Sequence, residues 1–324
     1  MTQQLPPSVE NAIVTPLKTT TYFSSIPKKI KQSKTPVIVG IDEAGRGPVL
    51  GPMVYGISYC SLEYQENYLK PNFEFDDSKK LTDLIRQELF SKIWLNEGIN
   101  CIDEVGYGIT SISACDISSN MLKFPNSFNL NEQAHITTIN LIQGLIDMDI
   151  QIEHVYIDTV GPPIAYQRKL QEIFPNFKIT VAKKADSLYY IVSVASVVAK
   201  VTRDLILQNI VGSAGSFGKI GSGYPSDPRT VAWLKNYGNN FKLFCWPKEV
   251  TRFSWGTCQQ LIARDNAGDN YLPISWEEDY IDNKSRSRKR KLPTGTGKID
   301  LFTTATTAVK DSNVRIISLD DWYK

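Results

Sequence analysis

A chain of 324 residues, 42% hydrophobic and 22% charged, has the composition of a globular protein and the length for one large core or a domain of about 200–250 residues with appendages. A formal net charge of +2 does not by itself argue for a nucleic-acid partner, no apolar run approaches the ~20 residues of a membrane helix, and the opening MTQQLPP lacks the features of a secretory signal. Five cysteines without a C-x-x-C pair suggest neither a disulfide framework nor a zinc site, and with two histidines any catalytic metal would rest on carboxylates; an intracellular, reduced chain is expected.

Residues 1–34, rich in Thr, Ser, Pro and Lys, read as a flexible segment. From Thr35 to about Ile262, strand and helix signals alternate. TPVIVGI (Thr35 to Ile41) and PMVYGISYC (Pro52 to Cys60) are predicted strands joined by a glycine-containing loop. Ser78 to Trp94 is a predicted helix with Leu81, Ile85, Leu89 and Ile93 on one face. Another helix spans Asn129 to Met148, with Asn129 or Asn131 as its cap. EHVYID (Glu153 to Asp158) reads as a short buried strand, Ile164 to Phe174 as a helix and FKITVA (Phe177 to Ala182) as a strand. An apolar helix capped by Asp186 or Ser187 then runs to Leu207, and its small residues Ser193, Ala195, Ser196 and Ala199 predict close packing on a sheet. Smaller helices are expected near Pro228 to Tyr237 and Trp255 to Ala263. Alternating strands and helices, the first strand pair antiparallel, make a mixed sheet with helices on its faces. The polar tail contains KSRSRKRK (Lys284 to Lys291), readable as a solvated linker or as a nuclear-localisation or polyanion-binding tract. Its end, VRIISLDDWY (Val314 to Tyr323), is apolar enough to dock on a partner.

Asp42, Glu43, Asp158 and Asp186 all stand where a strand ends or a helix begins. An unpaired buried carboxylate is costly, so acids at the ends of buried strands need a reason. Each alone fits an ordinary surface or capping acid. Together, in strands that converge on one sheet, they repel one another and call for a divalent counter-charge, Mg²⁺ or Mn²⁺ given the oxygen ligands. Neighbours on a strand point to opposite faces, so for Asp42 and Glu43 to meet the strand is expected to break at Ala44 and Gly45.

GRGPVLG (Gly45 to Gly51) has the wrong spacing for a dinucleotide fingerprint and precedes a strand, which excludes a nicotinamide cofactor. Glycines let backbone N–H groups approach an oxyanion, and Arg46 adds a charged fork suited to phosphate. GSGYPSDP (Gly221 to Pro228) is a second turn, whose Tyr224 either packs locally or contacts a sugar or base. DSKK (Asp77 to Lys80) brings two lysines to the start of a helix, where they are exposed charge or phosphate contacts.

GIDEAGRGPVLGP from Gly40, DSKKL from Asp77, YIDTVG from Tyr156, KADSL from Lys184, SVASVVAK from Ser193 and GSGYP from Gly221 closely resemble, in order, the motifs of the type 2 ribonucleases H, specifically the catalytic subunit of the eukaryotic enzyme. The terminal LDDWY (Leu319 to Tyr323) is similar to fungal members. The resemblance covers about Thr35 to Ile262. It implies a ribonuclease H-like mixed sheet flanked by helices, with a catalytic core over 35–212, a helical C-terminal part over 213–265 and a tail over 266–324. It further implies that Asp42, Glu43, Asp158 and Asp186 are catalytic, metal-binding carboxylates. Gly45, Arg46 and Gly47 match the loop that reads a ribonucleotide 2′-OH and its phosphates. Tyr224 matches the tyrosine that senses the ribonucleotide beside DNA, Lys79 a phosphate-contacting lysine, and Asn131 an asparagine near the substrate. One departure is Ile136, where relatives often carry Asp after the histidine matching His135. The implied activity is two-metal hydrolysis of RNA–DNA hybrids and cutting 5′ of single ribonucleotides in DNA. The implied setting is a nuclear heterotrimer with two accessory subunits. The competing readings are a DNA nuclease that shares the fold and a non-catalytic binding protein.

Overall fold

The computed structural model describes residues 4–75, 81–95, 101–123, 126–159, 161–213, 218–240 and 246–262. They belong to one compact unit, Met1–Glu278. Lys79, the basic tract and the C-terminal apolar end lie outside the described residues.

Six strands form the sheet: β1 (Thr20–Phe23), β2 (Val37–Ala44), β3 (Met53–Cys60), β4 (Gly106–Ile112), β5 (Ile152–Asp158) and β6 (Lys178–Ala182). Their order is β1-β4-β3-β2-β5-β6. Pairing is antiparallel from β1 to β2 and parallel from β2 through β5 to β6. Period-2 alternation divides β2 between two cores. Val37, Val39 and Ile41 face one core with Leu141, Leu145, Tyr166 and Leu170, from the Leu130–Asp147 and Pro163–Ile173 helices. Ile38 and Ala44 face the other, dominated by the Tyr190–Ser213 helix. That helix lies so close that a side chain at Gly40 would fall 2.3 Å from the Ile191 carbonyl oxygen. Ser193, Ala195, Ser196 and Ala199 are all buried there, as their size predicts. Among the described residues no helix is long and apolar enough to cross a membrane.

The chain departs from its sequence reading in several places. The N-terminal segment is not a loose wrap: it supplies the Pro7–Val14 helix, β1 and a Lys28–Ser33 helix. Val9 is fully buried, and Thr20 and Thr21, part of the composition that suggested a flexible segment, serve as β-branched strand residues. β4 was not expected from GYGITSI, although all seven of its residues are buried. Its Gly106 leaves space for the Tyr59 ring. The Asp83–Trp94 helix starts after its Thr82 cap and buries Leu89, Phe90 and Ile93, leaving Ile85 exposed on the helix meant to bury it. Finally, Asp186 does not cap the long helix: it sits in a separate turn, Ala185–Leu188, entered through the left-handed Lys184. Helical turns over Leu62–Tyr64, Gln65–Leu69 and Lys70–Asn72 and a helix over Ala114–Leu122 were not expected either. The other predicted elements start within two residues of their expected limits, and Asn129, not Asn131, is the cap, in a reciprocal box with Glu132.

Candidate active site

β2, β5 and β6 are parallel, so the acids that end or follow them gather at one end of the sheet, where strand order switches direction. One ligand oxygen from each of Asp42, Glu43 and Asp158 lies within 4.8 Å of the others. β2 does not break to achieve this, contrary to expectation; it stays paired with β3 through Ala44 and Val54. Relief comes from its neighbour. The last registered pair is Ile41 with Ile157, and β5 ends one residue later at Asp158. Past that point, among the described residues, no strand flanks β2 on that side, which leaves room for Asp42 and Glu43, leaving by opposite faces, to converge over the end of β5.

Asp42, Asp158 and Asp186 are oriented by the local fold. The Glu43 N–H donates to Asp42 Oδ1 at 2.7 Å, and the Ser196 hydroxyl also hydrogen-bonds to this carboxylate. The Ala185 N–H donates to Asp158 Oδ1 at 2.9 Å, and the Ser187 N–H to Asp186 Oδ1 at 3.0 Å. Asp42 is buried, and burial, then the charges of Glu43 and Asp158, push its carboxyl well above the usual carboxylate range. A divalent cation is the counter-charge that would relieve this repulsion, and an all-oxygen donor set suits Mg²⁺ or Mn²⁺. Asp42, Glu43, Asp158 and Asp186 all line one cavity of about 170 Å³, together with Gly45, Ser196, Lys200, Arg203 and Tyr224.

The glycine loop forms one wall. Gly45 has φ +80° and a Cβ there would lie 2.7 Å from the Pro52 carbonyl oxygen, so only glycine fits. Tyr224, 42% exposed, reaches over Gly47, with its ring 3.3 Å from where a Cβ would be. Arg46 Nη2 donates to Asn131 Oδ1, which joins those two predicted residues at the rim.

Sequence reasoning missed what holds this loop. Arg252 is fully buried, donating from Nε to the Gly51 carbonyl at 2.9 Å, from Nη1 to that of Arg46 at 3.1 Å and from Nη2 to that of Gly45 at 2.6 Å. The Trp255 ring lies 4.7 Å from its guanidinium, and the Trp255 Nε1–H donates to the Gly47 carbonyl at 3.1 Å. Burial, then the neighbouring Arg203, pulls the Arg252 guanidinium down to about 9, which leaves it charged at neutral pH. Arg203 donates to the Leu50 carbonyl at 3.1 Å, and Lys200 pairs with Asp204 at 2.7 Å beside the cavity. The SVASVVAK motif runs to Lys200, which was the available signal; nothing marks Arg252 in sequence.

The family model described as Ribonuclease HII matches residues 39–258. A ribonuclease H2 subunit of Schizosaccharomyces pombe is 45% identical over 275 residues, covering 85% of this chain and 81% of the relative. Its counterpart in Neurospora crassa is 44% identical over 277 residues, covering 85% and 84%. The crystal structure of the ribonuclease H2 from Pyrococcus horikoshii OT3 superposes with a TM-score of 0.56 at 30% identity, covering 69% of this chain and 96% of that one.

Proposed function

The chain belongs to the ribonuclease HII family, and we propose that it is the catalytic subunit of an endonuclease that hydrolyses the RNA strand of RNA–DNA hybrids. In this proposal it also cuts 5′ of single ribonucleotides in duplex DNA, leaving 3′-OH and 5′-phosphate ends. The observation that carries it is the convergence of the Asp42, Glu43 and Asp158 oxygens within 4.8 Å. The fungal relatives, each named as one subunit of ribonuclease H2, support work within a multi-subunit enzyme. Two accessory subunits, a nuclear location and a role in ribonucleotide removal during DNA replication and repair complete the proposal.

Asp42, Glu43, Asp158 and Asp186 are the residues that would hold two divalent ions, Mg²⁺ or Mn²⁺. Bound there, such ions supply an activated water and charge stabilisation for the leaving 3′-oxygen. The chain's own residues set substrate choice. The Gly45–Gly47 backbone, with Arg46, offers N–H groups and a charged fork to a 2′-OH and its phosphate. Tyr224 presents a half-exposed ring over Gly47, suited to stack beside the sugar. Asn131 fixes the Arg46 fork, and Lys200 and Lys79 add positive charge for the backbone. Ser196 and the Glu43 N–H hold Asp42 in place.

Cleavage of two labelled duplexes in Mg²⁺, one with a single ribonucleotide and one wholly DNA, tests this. The chain is assayed alone, in the assembled complex, and as Asp42→Asn in that complex. A cut 5′ of the ribonucleotide, absent from the DNA control and from the variant, is the expected result. Equal cutting of both duplexes would point to a general nuclease, and no cutting by the full assembly to a protein that only binds.

A further inference from the structure

Asp42, Asp158 and Asp186 each have a donor that orients them from the neighbouring backbone. Glu43 leaves β2 on the opposite face from Asp42. There two phenols lie beside it. Tyr55 is its directly opposed partner across β3, which places the two Cβ atoms about 4.5–5.5 Å apart on one face. Tyr166 comes from the Pro163–Ile173 helix, with its ring stacked on His135 at a centroid distance of 4.0 Å. Tyr55 is 1% exposed and Tyr166 3%.

Neither hydroxyl has a hydrogen-bond partner of good geometry among the described residues. The Thr138 hydroxyl lies beside that of Tyr166 and is itself buried without a well-aligned bond. An unpaired buried phenol at Tyr55, and one at Tyr166 with only the poorly aligned Thr138 hydroxyl beside it, are destabilising, and phenylalanine would fill the same space without that cost. A phenol ordinarily titrates at pH ~10, well above neutrality. Both therefore stay protonated and remain donors.

We infer that Tyr55 and Tyr166 are positioning residues for Glu43, their hydroxyls placed beneath the sheet end to donate to its carboxylate and set which oxygen faces the cation site. The inference rests on Glu43 being a metal ligand. Ligating carboxylates are held by outer hydrogen bonds, and losing such a bond typically weakens metal affinity about 10–100-fold. Tyr59 is the internal control. It lies on the same face of β3, is fully buried and has an unpartnered hydroxyl, yet burial alone acts on it and its ring packs across Gly106.

The test is Mn²⁺ binding to the full chain by calorimetry, with melting of the metal-free protein measured in parallel. Tyr55→Phe and Tyr166→Phe are each expected to weaken Mn²⁺ binding about 10-fold without lowering the metal-free melting temperature. Tyr59→Phe should bind as the unmodified chain does, and Glu43→Gln should lose most of its affinity. Unmodified affinity in both Tyr55→Phe and Tyr166→Phe overturns the inference while leaving the metal reading intact. A loss shared by Tyr59→Phe, or accompanied by an equal fall in melting temperature, also overturns it, because the phenols then act only as packing. Normal binding by Glu43→Gln would overturn both the inference and the metal site on which it rests.

Discussion

Replacing Arg252 by methionine keeps the apolar stem and removes the fork that holds the substrate loop. Its three guanidinium hydrogen bonds go to the carbonyls of Gly51, Arg46 and Gly45, in a fully buried site. Each carbonyl stranded away from water costs about 1–3 kcal/mol, so three set an upper range of about 3–9 kcal/mol. The desolvation penalty of the guanidinium disappears with it, and the loop can turn one carbonyl to solvent. Those two reliefs favour the lower half of the range, about 3–5 kcal/mol, as the expected destabilisation. Domains of this kind have about 5–15 kcal/mol in all, so most Arg252→Met protein should still fold. Arg252→Lys keeps the charge but not the fork, and should recover stability more than activity. Urea denaturation of the chain gives the first quantity, and single-turnover cutting of a ribonucleotide-containing duplex by the assembled enzyme gives the second. A loop misplaced by about 1 Å should cost roughly 10²-fold in rate. If Arg252→Met cuts at the unmodified rate and loses less than about 0.5 kcal/mol, the loop is held by something else and the reasoning fails.

Protonating Asp42 removes a charge that burial and two neighbouring acids oppose, and its folded pKa is therefore raised. Below the unfolded value of 3.8 that contribution is fully present, and it is lost as pH rises through the folded pKa. The metal-free chain should therefore lose melting temperature across that window, and Asp42→Asn should flatten the loss; an unchanged slope would refute it. In the same protein at pH 8, Mg²⁺ should raise the melting temperature, and much less so in Asp42→Asn. Lys200 borders the cavity and shares its charge only with Asp204 among the described ion pairs of its helix turn. Lys200→Ala should raise KM more than it lowers kcat and reduce the slope of log affinity against log salt by about 1; an unaltered slope would remove Lys200 from the phosphate contacts.

The parts of this molecule that were legible in sequence are those whose physical reason is local. The start of the Leu130–Asp147 helix was legible because its cap was one of two nearby asparagines, and the box Asn129 forms with Glu132 closes within four residues. The acids stood out because a buried strand ending in a charge is anomalous on its own terms. Their convergence was foreseen, but for the wrong reason. The alternation rule holds at Asp42 and Glu43, and what brings them together is the termination of β5, a fact about another strand. β4 was invisible for the same kind of reason. Gly106 and Gly108 look like strand breakers until Tyr59 and Phe23 are seen filling the space that their missing side chains leave.

Arg252 is the extreme case. Its partners lie 201 to 207 residues away, and in sequence a buried arginine is indistinguishable from an exposed one. The Gly45–Gly47 part of the loop, if it presents N–H groups to a ligand, cannot also spend them on its own support. The Val49, Leu50 and Gly51 N–H groups tie the far end of the loop to the Gly223 and Val250 carbonyls, whereas the near end is anchored through the Arg46 and Gly45 carbonyls, and a buried guanidinium with several donors in a fixed plane takes these and the Gly51 carbonyl at once. The need for an anchor therefore follows from GRGPVLG itself. What the sequence withholds is only its address, and that makes Arg252, and not a residue of the loop, the side chain whose exchange should separate holding the loop from reading the substrate.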